Sequence, residues 1–265
     1  MRKFPRTSTQ VNTMTESILF SRSEHIAKIT LNCPERHNSL GIEELHAIQT
    51  HLATASADKQ LRVLLLTGAG QETFCAGASL KELGSGLIDG DTFQATTDQV
   101  AAMKIPTICA LNGNVFGGGV DLALSCDFRI GIEGTRMRVP AAAIGLCYPI
   151  SGINRFVERM GVNLAKRILV ASEVFDADKM LEIGFLDHLV LPAQLDSFAS
   201  DKASHIAVLA PLAVRAMKEI LHQAAAGGID MDSATALSRQ CQDSADLQEG
   251  FAAQREKRSQ KFSGN

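Results

Sequence analysis

Residues 114–130 read NVFGGGVDLALSCDFRI, directly after the apolar, strand-like run IPTICALNG at 105–113. Three consecutive glycines, Gly117, Gly118 and Gly119, stand where the strand ends and a helix-like segment begins. That segment carries one acid, Asp121, in its first turn. A single glycine after a strand commonly turns the chain or permits close packing. Three in a row suggest that something approaches the backbone closely. At a helix start the free N–H groups point outward and carry partial positive charge. Such a position can hold a phosphate or a developing oxyanion.

Around this stretch the pattern alternates. ILF at 18–20 and HIAKITL at 25–31 read as a hairpin of short strands. NCPERHNSLG at 32–41 is a loop. IEELHAIQTHLATASAD at 42–58 has helical spacing, with Leu45, Ile48 and Leu52 on one face. RVLLLTG at 62–68 is a continuous apolar run suited to a strand covered on both sides. Residues 92–104 look helical, TICALNG at 107–113 is another buried strand, and CDFRIGI at 126–132 a further one. LDHLVL at 186–191 is the last expected strand. This alternation predicts an α/β core over 14–192. Residues 193–265 are expected to be helical, with two segments opening at prolines, PAQLDSFASDKASHIAVLA and PLAVRAMKEILHQAA. These helices are expected to find little sheet to cover and to form an oligomerisation layer. The leader 1–13, MRKFPRTSTQVNT, has three basic residues and no acid. It has no apolar core of a signal peptide, and Met14 looks like a natural start, so the leader is expected to be disordered.

The 265 residues are 45% hydrophobic and 21% charged, with a net charge of −3. That is the balance of a globular chain with no call for nucleic acid. There is no Trp and one Tyr, which argues against base-stacking platforms. No apolar run reaches the ~18 residues of a membrane span. The six cysteines (Cys33, Cys75, Cys109, Cys126, Cys147, Cys241) contain no C-x-x-C. They are expected to be reduced, small buried hydrophobes in a cytoplasmic protein. GAGQET at 68–73 begins like a dinucleotide fingerprint, but Thr73 stands at the third glycine. No P-loop, nucleophile elbow or metal-ligand spacing is present, and no metal is expected.

A second small-residue loop, FCAGASLKEL at 74–83, completes the argument. Two loops that each offer one backbone N–H could grip a single carbonyl oxygen. Taken together, FCAGASLKEL and NVFGGGVDLALSCDFRI resemble the crotonase, or enoyl-CoA hydratase/isomerase, superfamily. The resemblance runs from about Thr15 to the end and includes PERHNSL at 34–40, GFLDHLV at 184–190 and QEGFAAQREKRSQKFSG at 248–264. It implies an α/β fold with a ββα spiral core and a C-terminal helical trimerisation layer. It implies an acyl-CoA substrate, with coenzyme A as part of that substrate and no separate cofactor. A homotrimer or hexamer and a place in fatty acid metabolism come with it.

Carried over residue by residue, the resemblance makes the N–H groups of Ala78 and Gly118 the oxyanion donors. Ala76, Gly77, Ala78, Ser79 and Leu80 would line the CoA adenine pocket, mainly through backbone atoms. Lys81 and Arg36 are candidates for the CoA phosphates. Family hydratases use two glutamates. One position is held here by Asp121, shorter by one methylene. The other follows a proline, and in VPAAAIGL at 139–146 it is Ala141. Water addition needs a base for water and a proton for the α-carbon, so efficient hydration is not expected. Isomerisation can run on one carboxylate, and decarboxylation of a malonyl-type thioester needs no base. IGLCYPISGINRF at 144–156 and the tail from Asp243 are similar to the methylmalonyl-CoA decarboxylase branch, including Tyr148. That branch has a histidine in its first oxyanion loop, where this chain has Ala78. Tyr148 reads equally as a catalytic residue or as a buried aromatic with a satisfied hydroxyl. Lyase and isomerase chemistry therefore stay open, as does a protein that binds acyl-CoA without turnover.

Overall fold

The computed structural model describes residues 16–265, so the leader and Met14 lie outside the described residues. The chain opens with an antiparallel hairpin, β1 (Ile18–Ser23) and β2 (Ile26–Leu31), followed by α1 (Ile42–Ala57). One pattern then repeats: a long strand, a short strand and a helix. β3 (Val63–Gly68) and β4 (Thr73–Cys75) lead into α2 (Leu80–Ser85) and α3 (Gly90–Ala101). β5 (Thr107–Ala110) and β6 (Asn114–Phe116) lead into α4 (Gly118–Leu124). β7 (Phe128–Ile132) and β8 (Arg136–Arg138) lead into α5 (Ile150–Ala165). β9 (Phe175–Asp176), α6 (Ala177–Glu182) and β10 (His188–Val190) close the core.

Each turn contributes one strand to each of two sheets. The six-stranded sheet has the order β1-β2-β3-β5-β7-β10 and is parallel apart from the hairpin. The four-stranded sheet has the order β4-β6-β8-β9. The ββα spiral implied by the family resemblance is therefore the architecture of this chain.

The apolar run of β3 is explained by its two faces. Leu64 and Leu66 join the main core with α1, while Val63 and Leu65 face the opposite way. Period-two alternation in a strand buried on both sides favours apolar residues on each face, as in Val63–Leu66. The second face is covered by α7 (Leu195–Ala207), through Leu195, Ala199, Ala203 and Ala207. Four small or apolar residues at spacings of four form one helical stripe that lets the helix lie close to the sheet. The expectation that the late helices have little sheet to cover thus fails for the first of them. The alanines of that stripe belong to the core.

The remaining helices are α8 (Pro211–Ala225), α9 (Met231–Gln242) and α10 (Ala245–Glu256). α8 is pinned to the sheet by Asp127, which accepts from Lys218 Nζ at 2.6 Å and from the Thr107 N–H at 2.8 Å. Burial alone would push the Asp127 carboxyl up, but His222, Lys218 and the Thr107 N–H outweigh it and hold it at about 2. Met217, Leu221, Met231 and Phe251 on these helices are exposed. Among the described residues no helix is long and apolar enough to cross a membrane. All six cysteines are free. Four are buried as expected, Cys241 is half-buried, and Cys147 is exposed, so the reading as a buried hydrophobe fails there.

Candidate active site

The loop 37–41 straps the first small-residue loop in place. Leu40 N–H donates to Gly77 O at 2.8 Å, Ser79 N–H to Leu40 O at 2.8 Å, and Ala76 N–H to His37 O at 3.0 Å. His37 and Asn38 both take left-handed backbone conformations to make this turn. Asn38 is buried, and its side chain accepts from Cys33 N–H at 2.9 Å and donates to Thr73 O at 2.8 Å and Ala69 O at 3.0 Å. A buried amide with its partners in place fixes three chain segments at once. These bonds leave part of the 76–80 backbone committed within the protein. The amides of Ala76 and Ser79 and the carbonyl of Gly77 are already engaged. Among the described residues the N–H of Ala78 makes no backbone bond, and the N–H of Gly118 makes none either.

The three glycines of the opening stretch have three different physical reasons. Gly117 has φ +54° and ψ −126°, a conformation that other residues rarely adopt. A Cβ on Gly118 would overlap the Phe93 ring of α3, and a Cβ on Gly119 would overlap the Cys75 carbonyl of β4. Gly77, with φ +88°, has its own Cβ position 2.6 Å from Gly118 N. The two loops therefore touch through glycine, which sets Ala78 one peptide away from the Gly118 amide. Gly118 is the first residue of α4, so its N–H has no intrahelical acceptor.

Asp121 lies one turn into α4 and is only 2% exposed. Its Oδ1 accepts from Arg155 NH1 of α5 at 2.5 Å, and its Oδ2 accepts from the Thr97 hydroxyl of α3 at 3.3 Å. The second guanidinium nitrogen of Arg155 is paired with Asp98, whose carboxylate also accepts from Ser151 Oγ at 3.0 Å. Burial pushes the Asp121 carboxyl up from the ordinary range, Arg155 and Thr97 pull it down, and Asp98 adds to the rise. Helix α3 supplies one continuous wall here. Phe93 meets Gly118, and Thr97, one turn on, meets Asp121.

Tyr148 packs edge-on against Phe156, with ring centroids 5.7 Å apart. Its hydroxyl lies 3.5 Å from Gly117 O, a weak hydrogen bond. Burial pushes this phenol well above its usual value and Asp121 adds to the effect, so the hydroxyl stays protonated. A Cβ on Gly152 would sit within 3.1 Å of both the Tyr148 ring and Asp121 Oδ2, which places Tyr148 beside the acid. Ala141 is buried in the main core, and its carbonyl accepts from Leu146 N–H at 2.9 Å. Arg36 is held by Glu44 at 3.1 Å and by Cys33 Sγ at 2.9 Å, so its charge already has a partner. Lys81 and Leu80 are exposed on α2, and Lys81 has no ion-pair partner among the described residues. Arg155, Asp98, Thr97 and Phe93 were not singled out from the sequence. The i, i+4 pair Phe93/Thr97 is visible there, but only the folded chain shows which elements they face.

The model for enoyl-CoA hydratase/isomerase matches residues 21–265. The chain belongs to the enoyl-CoA hydratase/isomerase family. The Bacillus subtilis (strain 168) protein YngF is 33% identical over 263 residues, covering 95% of this chain and 100% of that one. The crotonyl-CoA hydratase of Syntrophomonas wolfei is 30% identical, with 93% and 98% covered. The crystal structure of an enoyl-CoA hydratase from Bacillus anthracis superposes with a TM-score of 0.86 at 29% identity, covering 94% of this chain and 100% of that one.

Proposed function

We propose that this protein acts on an acyl-CoA thioester by stabilising its enolate between the N–H groups of Ala78 and Gly118. Asp121 then moves the single proton, so that double-bond isomerisation is favoured over efficient hydration. The observation that carries this reading is the charge census around α4. One buried carboxylate, Asp121, stands beside the free helix N-terminus, and the second glutamate position holds the methyl group of Ala141. The CoA thioesters in the names of the relatives support the substrate class. In this scheme the α C–H bond breaks, its proton goes to Asp121, and its electron pair moves onto the thioester oxygen. Asp121 exchanges that proton with solvent, and delivery of a solvent-derived proton at the γ-carbon completes the shift. Preorganised N–H donors lower the energy of the enolate, and each is worth ~10²–10³ in rate. The uncommitted charge of Lys81 suits a CoA phosphate. The free cysteines favour a reducing, cytoplasmic setting.

Tyr148 favours a second reading, decarboxylation. Its protonated hydroxyl beside Gly117 O could later protonate the α-carbon after CO₂ departs with the C–C electron pair left in the enolate. Mass spectrometry in deuterated water separates the outcomes. With 3-enoyl-CoA, crotonyl-CoA and methylmalonyl-CoA supplied, isomerisation incorporates deuterium, hydration adds a water mass, and decarboxylation loses CO₂. We expect deuterium incorporation into 3-enoyl-CoA. Thioester binding with no mass change in any of the three would leave a non-turnover acyl-CoA binder.

Hydration of crotonyl-CoA by the native chain should be slow, below the ordinary kcat range of about 1–10³ s⁻¹. Ala141→Glu should raise it measurably but modestly, since Asp121 is one methylene short and misplacement by ~1 Å costs up to ~10²-fold. Robust native hydration would sink the one-carboxylate reading. The exposed apolar side chains of α8–α10 support a homotrimer or a hexamer built from trimers. Sedimentation at micromolar concentration should give a mass that is a multiple of three chains, and a stable monomer would refute this.

A further inference from the structure

Arg155 takes no part in the chemistry just described, yet it is the most heavily engaged charge near it. The guanidinium is buried, 7% exposed, and lies between two carboxylates from two different helices. Asp121 of α4 is enclosed, whereas the Asp98 side chain of α3 is 43% exposed. A planar fork suits such a double bridge in a way that a lysine ammonium does not. The two oxygens of Asp121 are thereby made unequal. Oδ1 is held at 2.5 Å by a charged donor, and Oδ2 has only a long contact of 3.3 Å with the neutral Thr97 hydroxyl. Oδ2 is also the oxygen on the side of Gly152 and Tyr148. We infer that Arg155 is the positioning residue of this site, fixing Asp121 through Oδ1 and leaving Oδ2 as the oxygen that exchanges a proton with the acyl group. This rests on the reading of Asp121 as the proton carrier.

Among the described residues, the charged and titratable groups that face Asp121 are few. They are Arg155 from α5, Asp98 from α3 and Tyr148 from the turn before α5. Cys75 of β4, behind Gly119, is a buried thiol pushed up to about 12 and stays neutral. The cation and the second carboxylate therefore act on Asp121 in opposite directions. An opposite charge at this distance lowers a carboxyl by ~1–3 pH units, and a like charge raises it. Proton abstraction requires the ionised form, so the alkaline-rising limb of rate against pH follows Asp121.

The test measures deuterium exchange into 3-enoyl-CoA against pH for Arg155→Gln, Arg155→Lys and Asp98→Asn, with thioester binding measured by calorimetry. Arg155→Gln should move the limb up by about one pH unit or more. It should lower the maximal rate ~10²-fold through misplacement while leaving thioester affinity within a few-fold. Arg155→Lys should fall between it and the native chain. Asp98→Asn should move the limb the other way, to lower pH. A merely structural Arg155 would lower the folded fraction and move neither limb. If Arg155→Gln does not fold, the opposite shifts of Arg155→Lys and Asp98→Asn carry the test. Limbs that stay in place in both variants overturn the inference. Should Asp121→Asn be inactive while those limbs stay put, the inference alone fails. Should Asp121→Asn retain full exchange, the proton-carrier reading itself fails.

Discussion

Asp121→Asn should reduce turnover of 3-enoyl-CoA by ~10²–10⁴-fold while leaving CoA-thioester binding within a few-fold, because an acid–base group contributes to the barrier and not to ground-state affinity. The amide is nearly isosteric, so it still fills the space between Thr97, Arg155 and Gly152. It removes the charge that faces Arg155, and it leaves the guanidinium with Asp98 as its remaining carboxylate. Thermal unfolding of the variant should therefore stay cooperative. Burying an ion pair costs desolvation that its attraction only partly offsets, so the loss of one partner is felt as an uncompensated charge of several kcal/mol at worst. The half-exposed Asp98 limits that penalty here. Steady-state kinetics together with calorimetric binding decide the matter. An unchanged rate would make Asp121 a helix-terminus acid and nothing more.

Gly118→Ala should be nearly as damaging, for a reason that the sequence hides. The three atoms nearest the added methyl all belong to the ring of Phe93, a side chain on α3. The ring can move, so the fold should survive, but only by shifting the wall that also carries Thr97 or by tilting the Gly118 amide. Displacing one oxyanion donor costs ~10²–10³ in rate. Phe93→Leu in the Gly118→Ala background should recover most of that loss, to within about tenfold of the Phe93→Leu single variant. Full recovery would mean that the glycine serves packing against α3. No recovery, with a native-like melting temperature, would mean that the thioester itself needs the space. A fully active Gly118→Ala would remove the Gly118 amide from the mechanism. Gly119→Ala makes a useful contrast. Its methyl would meet the Cys75 carbonyl, which cannot swing away, so that variant should fail in folding before it fails in catalysis.

The sequence by itself determined the repeating order of strands and helices, the hairpin at the start and the helix beginning at Gly118. Each is written in local periodicity or in glycine placement, which neighbouring residues alone can express. It also pointed, through two small-residue loops and one acid, to the pair of segments that the fold brings into contact. What it could not show is which groups remain free once the chain closes. The strap at His37 and Leu40 takes up the amides of Ala76 and Ser79 and the carbonyl of Gly77, and leaves the Ala78 amide without a backbone acceptor among the described residues. Arg36 is paired with Glu44, eight residues along the chain. The stripe Leu195, Ala199, Ala203, Ala207 looks like an ordinary helix face until β3, β5 and β7 are seen beneath it. Arg155 reads as one charge among many in a helix, because its two carboxylates lie 34 and 57 residues away. Contacts across such separations depend on how helices α3, α4 and α5 are stacked. That stacking is a property of the packed core, where a buried guanidinium must find partners or not be buried at all.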